Sequence, residues 1–271
     1  MLARGWAFVA IVSLSLSTAT LSAQRSERFT PEIGQPGKDV VWVPTPEALV
    51  TKMLDLAKVG PHDFVIDLGS GDGRNVIGAA RRGARALGVE YNPDMVELSR
   101  RKAAEAGVAD RATFERGDMF KADISRATVM ALFLLPSNLR QLEPKFLALT
   151  PGTRIVSNTF LIGDWTPDAN VTVDDFCEMW CEAYLWIVPA QAAGQWRMRG
   201  GELTLTQTYQ KLSGTMTTAG TAVHVTGSLR GDEIEIRDGG TSWRGRVHGD
   251  KLELRTGDGR RIKAERRRQQ P

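Results

Sequence analysis

Residues Phe64–Arg74 read FVIDLGSGDGR, and this segment decides the fold. Its apolar start is typical of a buried strand, and the turn after Asp67 has glycine at every second position: Gly69, Gly71 and Gly73. Glycine lets a ligand approach the backbone closely, and the helix expected next directs its N-terminus at the same place. A dinucleotide site has the spacing G-x-G-x-x-G, whereas Asp67 and Asp72 would repel a pyrophosphate and attract an ammonium group. The segment therefore predicts a ligand other than a dinucleotide.

Apolar periodicity alternates between strand and helix on both sides of this segment. Predicted strands are 64–68, 86–89, 112–115, 129–135 and 154–160, and predicted helices are 47–59, 74–82, 94–106 and 138–149. Two more strands, 171–176 and 183–188, have no helix between them and are expected to form an antiparallel hairpin at the sheet edge. The alternation predicts an α/β domain with a parallel sheet and helices on both faces.

Two further acidic residues fall where a nucleoside needs them. Glu90 ends the second strand, 23 residues after Asp67, and a carboxylate there can accept hydrogen bonds from both ribose hydroxyls. Asp118 and Met119 follow the third strand, where Asp118 can accept from an adenine amino group and Met119 can pack on the ring. These residues predict a nucleoside-containing ligand.

Together, the segment from Asp67 to Gly73, Glu90 and Asp118 resembles the three motifs of class I, seven-strand S-adenosylmethionine-dependent methyltransferases. The resemblance covers roughly residues 40–188 and implies a Rossmann-like seven-stranded sheet, with the edge hairpin as its last two strands. It implies S-adenosyl-L-methionine as the cofactor and requires no metal. The predicted cofactor-binding residues are Asp67, Gly69, Ser70, Gly71, Gly73, Glu90, Tyr91, Asn92, Asp118, Met119 and Thr45.

A narrower resemblance is carried by VWVPTP at residues 41–46, FLLPSN at 133–138, and Phe160, Trp165 and Pro167 in the pattern F-x-x-x-x-W-x-P. These segments are similar to the lysine methyltransferases that modify the ATP synthase c-ring protein and the adenine nucleotide translocase, and to their bacterial relatives. The loop after the fourth strand is where acceptors sit in this fold, so the predicted catalytic residues are Pro136, Ser137 and Asn138. Trp42 and Thr45 are expected to help close the pocket, and desolvation is expected to deprotonate the acceptor amine.

From about residue 189 the helix signals vanish and short alternating strands appear. Four strands are predicted here, at 202–207, 221–225, 233–236 and 251–255. A repeat of 18 residues relates Gly227–Ile236 to Gly245–Leu254, both reading G-x-Φ-x-G-D-x-Φ-E-Φ with Φ apolar. Its Gly-Asp pairs are expected to supply the positive φ of tight hairpin turns. The predicted second domain is therefore an antiparallel β-meander over 189–265, followed by a basic tail at 266–271.

The N-terminus predicts a targeting segment. Residues 1–23 contain one arginine, an apolar run and small residues suited to cleavage, which is typical of a secretory signal; an uncleaved membrane anchor is the alternative. Residues 24–38 are expected to be a linker and 39–188 the methyltransferase domain. The expected location is the inner membrane or the periplasm, although the supply of cofactor favours catalysis on the cytoplasmic side.

Charge and composition narrow the partners. The last twelve residues hold six of the 35 Lys and Arg residues and one of the 32 acids, so the rest of the chain is slightly acidic and a nucleic-acid partner is not expected. The basic terminus is expected to be solvated. Three scattered histidines and two cysteines make a zinc site unexpected. The candidate acceptor is a protein lysine near a membrane; the alternatives are a small molecule or lipid, or an exported binding protein without turnover.

The two cysteines, Cys177 and Cys181, leave two readings open. On one continuous strand they would lie about 13 Å apart, too far for a disulfide. A turn between them would allow the bond, and export would favour it.

Overall fold

A computed structural model describes residues 29–173 and 177–267, and the signal-like segment 1–23 lies outside the described residues. The first domain contains α1 (Glu47–Leu56), β1 (Phe64–Leu68), α2 (Arg74–Arg81), β2 (Arg85–Glu90), α3 (Pro93–Glu105), β3 (Ala112–Arg116), β4 (Val129–Leu132), α4 (Pro136–Leu147), β5 (Arg154–Asn158), β6 (Ala169–Thr172) and β7 (Glu182–Ile187). These strands form one seven-stranded sheet in the order β3-β2-β1-β4-β5-β7-β6. The predicted Rossmann-like methyltransferase sheet is confirmed.

Strand β1 lies at the point where the strand order reverses. It pairs in parallel with β2 on one side and with β4 on the other. Ligands of open α/β sheets bind at such a switch point, beyond the carboxyl ends of the strands. The antiparallel pairing of β7 with β5 and β6 gives the expected hairpin at the other edge.

The fourth strand is shorter than predicted. The apolar run continues to Leu135, but β4 ends at Leu132, and the helix begins at Pro136 rather than Asn138. Proline suits the first turn of a helix because its missing N–H has no intrahelical partner there. Phe133, Leu134 and Leu135 therefore form a loop at the carboxyl edge of the sheet, which a pattern of apolar residues alone does not distinguish from a strand.

The second domain is a closed eight-stranded barrel, in the order β10-β11-β12-β13-β14-β15-β8-β9. Its strands are β8 (Gly194–Met198), β9 (Gly201–Thr208), β10 (Lys211–Thr218), β11 (Thr221–Arg230), β12 (Glu233–Arg237), β13 (Ser242–His248), β14 (Lys251–Thr256) and β15 (Arg261–Arg266). The meander is closed because β8 pairs with both β9 and β15. Closure removes the exposed edges that an open meander would present.

The basic terminus belongs partly to this barrel, which corrects the expectation of a solvated tail. Strand β15 runs to Arg266, whose guanidinium lies over the Trp196 ring at 4.2 Å and also donates to the carbonyl of Gln191 at 2.5 Å. Trp196 itself is fully buried. Arg266 therefore packs on the barrel core, while residues 268–271 lie outside the described part of the chain.

Tyr209 joins the two domains. Its ring stacks on Trp165 with the centroids 5.7 Å apart, and its hydroxyl donates to Glu143 Oε1 at 2.9 Å. The neighbouring Gln210 side chain donates to the carbonyl of Thr166 at 2.8 Å. Stacking and hydrogen bonds at one place fix the barrel against the surface formed by α4 and the loop after β5.

The 18-residue repeat forms two equivalent hairpins. Gly231 and Gly249, with φ of 63° and 58°, begin the two-residue turns, which confirms the expected positive φ. The first glycine of each repeat serves close strand approach: a Cβ on Gly245 would lie 1.7 Å from the carbonyl oxygen of Glu253, and one on Gly227 would lie 2.3 Å from that of Glu235. Glycine here lets the strands curve tightly.

We expect Gly245→Ala to destabilise the barrel by about 2 kcal/mol or more, because the added methyl group would have to displace backbone rather than a flexible side chain. Gly257→Ala is the matched control, since a Cβ there meets no atom within 4 Å. Urea unfolding of both variants measures the difference. Equal midpoints for the two variants would contradict the close approach.

Candidate functional site

A cavity of about 310 Å³ opens at the carboxyl edge of the sheet, above β1, β2 and β4. This volume is at the lower end of the range for small-molecule sites. Ten of the predicted cofactor residues line it: Asp67, Gly69, Ser70, Gly71, Glu90, Tyr91, Asn92, Asp118, Met119 and Thr45. Gly73 does not line it; with φ of 81° it is the residue before α2, and its backbone packs against the Phe114 ring.

The glycine turn brings bare backbone to the cavity wall. Gly69 and Gly71 have φ of 70° and 53°, a left-handed conformation that residues with a Cβ rarely adopt. A Cβ on Gly71 would lie 2.7 Å from Trp42 Nε1, so the indole covers the turn directly. The turn is therefore built for a close neighbour, and Trp42 provides one side of the wall.

Glu90 is fixed by two backbone donors. The N–H of Gly71 donates to Oε2 at 3.0 Å, and the N–H of Asn92 donates to Oε1 at 2.9 Å. An ionised carboxylate has about four acceptor positions, so each oxygen keeps one for a ligand. This geometry suits two adjacent hydroxyl groups, as on a ribose.

Asp67 is buried beneath the turn, with 3% of its surface exposed. Burial raises the pKa of Asp67 well above its ordinary value, and the negative charges of Glu90 and Asp72 add to the rise. The hydrogen bond from Asn75 Nδ2, at 3.1 Å, opposes it. In the part of the chain that the structure describes, neither Asp67 nor Glu90 forms an ion pair, so the cavity presents uncompensated negative charge.

Asp72 does not share this role, which corrects the expectation that it attracts a ligand cation. Its Oδ2 lies 2.8 Å from Arg74 Nη2 and 2.5 Å from Lys102 Nζ. Burial by itself raises the pKa of Asp72, but the hydrogen bonds and charges of Arg74 and Lys102 outweigh burial and hold it below its ordinary value. Its charge is already neutralised by the protein.

Asp118 lies in the loop after β3 and is held by Lys38. Lys38 Nζ is 3.0 Å from Oδ2, and the N–H of Phe120 donates to Oδ1 at 2.9 Å. Both contacts, that of Lys38 first, lower the pKa of Asp118. The Lys38 ammonium also lies 5.3 Å from the centre of the Tyr91 ring. A ligand that reaches Asp118 therefore shares this carboxylate with Lys38.

Residues 35–45 form a strap along the cavity, of which sequence reasoning found only Trp42 and Thr45. The strap folds back on itself through an antiparallel bridge between Pro36 and Val41. Thr45 is buried, and its Oγ1 accepts from Asn158 Nδ2 at 3.2 Å. Lys38 belongs to a stretch interpreted as linker and domain start, where no local pattern marks it as a site residue.

The predicted catalytic residues do not line the cavity. Pro136 and Ser137 are exposed at the start of α4, and Ser137 Oγ donates to Asn138 Oδ1 at 3.2 Å. Asn138 is buried, and its Nδ2 has no hydrogen-bond partner among the described residues. The cavity wall is made instead by the three residues before the helix, Phe133–Leu135.

Three aromatic rings, which we call the aromatic wall, form one end of the cavity: Phe133, Phe160 and Trp180. The Trp180 ring lies 5.6 Å from each of the other two, and Phe133 and Phe160 stack with centroids 6.2 Å apart. Sequence reasoning missed this group. Phe133 and Phe160 stand in the quoted segments FLLPSN and F-x-x-x-x-W-x-P, but Trp180 was interpreted as core.

Next to the wall, Cys177 and Cys181 form a disulfide, with their Cα atoms 5.7 Å apart. The chain turns between them, so the distance estimated for a continuous strand does not apply. Of the two readings left open by the sequence, the turn with a disulfide is the one observed.

Comparison with known proteins decides the family. Residues 67–169 match the model of the ANTKMT methyltransferase domain. A protein-lysine N-methyltransferase from Saccharolobus islandicus is 43% identical over 139 residues, which is 50% of this chain and 86% of that protein. The chain belongs to this methyltransferase family. It is an S-adenosylmethionine-dependent methyltransferase.

Other relatives agree on the methyl group but differ in the named acceptor. A lysine N-methyltransferase of Mus musculus, named for the c-ring protein of ATP synthase, is 41% identical over 105 residues, 38% of this chain and 42% of that protein. This chain thus spans less than half of that relative. A solved structure described as an RNA methyltransferase from Salinibacter ruber, in complex with S-adenosyl-L-homocysteine, is 48% identical with a TM-score of 0.52, and covers 55% of this chain and 95% of that one.

The cavity fits this cofactor. The sulfonium and ammonium groups of S-adenosylmethionine are cationic, and Asp67 and Glu90 are the two lining acids without a protein cation in residues 29–173 and 177–267. Glu90 has acceptor positions for the ribose hydroxyls, and Met119 and Tyr91 offer apolar surface beside Asp118. Within the same described ranges, no cluster of metal-ligating side chains occurs, and no helix has the length and apolar character needed to cross a membrane.

Replacing Asp67 with asparagine should stabilise the protein without ligand and weaken cofactor binding. The ordinary pKa of this carboxyl is 3.8 and folding raises it, so the folded state loses stability as pH rises through the raised pKa. Asp67→Asn removes that loss, and its melting temperature should exceed the parent's near neutral pH, by less as pH falls. Its affinity for S-adenosylmethionine should fall at least about tenfold, the factor that 1.4 kcal/mol of lost attraction gives.

Thermal melting between pH 5 and 8 and calorimetric titration with the cofactor measure the two effects. Asp110→Asn, at an exposed carboxylate far from the cavity lining, is the control and should change neither. A lower melting temperature combined with unchanged affinity would contradict the role assigned to Asp67.

Proposed function

We propose that this enzyme transfers a methyl group from S-adenosylmethionine to the ε-amine of a lysine in a protein. The observation that carries the proposal is the cavity's division into an acidic end, with Asp67 and Glu90, and the aromatic wall at Phe133, Phe160 and Trp180. The acidic end suits the cofactor, and the wall suits an aliphatic side chain that ends in nitrogen. The lysine methyltransferases among its relatives support the same acceptor.

The cofactor supplies a methyl group already activated on sulfur, so the protein's task is to align and to exclude water. The lysine nitrogen attacks the methyl carbon, the carbon–sulfur bond breaks, and its electron pair remains on sulfur. The acceptor amine must first lose a proton, since its ordinary pKa is about 10.4. Apolar rings around it disfavour the charged form of the bound substrate.

The aromatic wall has a second effect on the reaction. As the new carbon–nitrogen bond forms, positive charge develops on the lysine nitrogen. Aromatic ring faces attract a cation within about 6 Å, so the wall stabilises this developing charge. The extra proton on the methylated nitrogen then passes to solvent.

Asn138 remains a predicted catalytic residue, with Ser137 and Pro136 beside it. Its buried Nδ2 without a partner among the described residues supports a role in orienting the acceptor or its loop. Unchanged turnover and unchanged cofactor affinity in Asn138→Ala would remove Asn138 from the proposal.

We further propose that the protein acts at or near a membrane or in the periplasm, through residues 1–23. The support is the apolar run and the small residues of this segment. Intact-mass analysis of protein purified from cells tests whether a signal is cleaved: loss of 19 or 23 residues is the expected result for a signal. Retention of the full segment would favour an anchor.

The acceptor class can be tested with radiolabelled methyl groups. We expect incorporation into membrane-protein fractions and into a lysine-containing peptide, and none into the matched peptide with arginine at that position. Glu90→Ala should lower cofactor affinity at least about tenfold, because hydrogen bonds to a charged group each contribute about 1.5–3 kcal/mol. Glu97→Ala, at an exposed position on α3, is the control.

A parallel assay with total RNA addresses the name of the Salinibacter relative. Label in RNA with none in lysine peptides or membrane proteins would overturn the lysine proposal and favour an RNA acceptor. Label in a small lipid would favour the second alternative from the sequence.

A further inference from the structure

The third ring of the aromatic wall has an unusual attachment. Trp180 has φ of 61°, a left-handed conformation that is rare for a large side chain. Such a conformation persists where the surrounding structure enforces it. Trp180 is nevertheless placed within 5.6 Å of both phenylalanine rings, and it lines the cofactor cavity.

The disulfide supplies that enforcement. Trp180 lies inside the five-residue loop that the bond between Cys177 and Cys181 closes. Cys181 is fixed on the sheet side, where its carbonyl accepts from Val173 N at 2.8 Å, and Cys177 packs against the core of the first domain. Between them, Met179 is 67% exposed and holds nothing in place.

We infer that the Cys177–Cys181 disulfide is a positioning element for the methyl acceptor: it holds Trp180 on Phe133 and Phe160, so acceptor affinity depends on the redox state of this bond. The inference rests on the proposed function for the identity of the acceptor. Reduction by a dithiol transfers two electrons and two protons to the bond, giving two thiols and a cyclic disulfide of the reductant. The loop is then released from one of its two fixed ends.

The composition of the chain makes this testable without ambiguity. Cys177 and Cys181 are its two cysteines, so an effect of a reductant that disappears in Cys177→Ser/Cys181→Ser arises from this bond. The cofactor contacts of Asp67 and Glu90 come from other elements, the ends of β1 and β2. Reduction should therefore change acceptor binding and leave cofactor affinity unchanged.

The first experiment follows Trp180 directly and needs no acceptor. The full chain is labelled with 5-fluorotryptophan, and the Trp180 fluorine signal is assigned by its absence in Trp180→Phe. We expect dithiothreitol to move this signal toward the position of exposed tryptophan, while those of the buried Trp165, Trp186 and Trp196 stay in place. An unmoved Trp180 signal, with the thiols shown to be free by labelling, would overturn the inference.

The second experiment measures methyl transfer to a lysine peptide in both redox states. We expect reduction to raise the KM for the peptide about tenfold, equivalent to the 1.4 kcal/mol scale of a cation–aromatic contact, with the cofactor affinity unchanged. The double serine variant should show the raised KM without dithiothreitol and no further response to it. Trp180→Ala should resemble it, whereas Trp180→Phe should retain most of the affinity.

These outcomes separate the inference from the proposed function. A moved fluorine signal with an unchanged peptide KM would overturn the link to the acceptor. An effect of dithiothreitol that persists in the double serine variant would overturn it as well. Absence of lysine methylation in both redox states contradicts the proposed function, and the fluorine signal then decides by itself whether the disulfide positions Trp180.

Discussion

Uncompensated negative charge at the carboxyl edge of the sheet is the constraint on which the site depends. Asp67 is buried without an ion-pair partner among the described residues, and Glu90 is oriented by two backbone N–H groups next to it. Neighbouring buried carboxylates repel one another and are costly for the folded state. The remaining acids of the cavity are treated differently: Arg74 and Lys102 neutralise Asp72, and Lys38 neutralises Asp118. The protein thus leaves charge open only where a cationic cofactor can balance it.

The part of this site that the sequence predicts is the part made by contiguous residues. A strand, a glycine turn and a helix start are written within Phe64–Arg74, and Glu90 and Asp118 each follow a strand of recognisable period. Local pattern therefore identified ten residues of the cavity lining. It failed for Gly73, because the same glycine spacing serves two purposes: contact with a ligand at Gly71, and close packing against Phe114 at Gly73.

The aromatic wall could not be predicted in this way, because its rings come from three loops that are distant in sequence. Phe133 follows β4, Phe160 follows β5, and Trp180 precedes β7. Each ring by itself has the composition of a core residue, and only the sheet order brings the ends of these strands together. The cysteine pair shows the same limit, since its spacing permits a bond or excludes it depending on a turn that no local signal marks. The barrel was predicted as a meander for a related reason: closure is a pairing of β8 with β15, whose sequences are separated by more than sixty residues.

The two ends of the cavity impose opposite electrostatic conditions on one reaction. The acidic end favours positive charge in the ground state, which suits a cationic cofactor. The aromatic end disfavours a fully solvated cation but attracts positive charge that has already lost its water. A lysine entering at that end gives up its proton before it attacks, and regains positive charge on nitrogen only as the methyl group arrives. Charge therefore disappears from the cofactor at the acidic end while it appears on the acceptor at the aromatic end, so the wall favours the transition state over the bound amine. This difference, rather than acid–base chemistry by Ser137 or Asn138, is the contribution to catalysis that the described geometry supports.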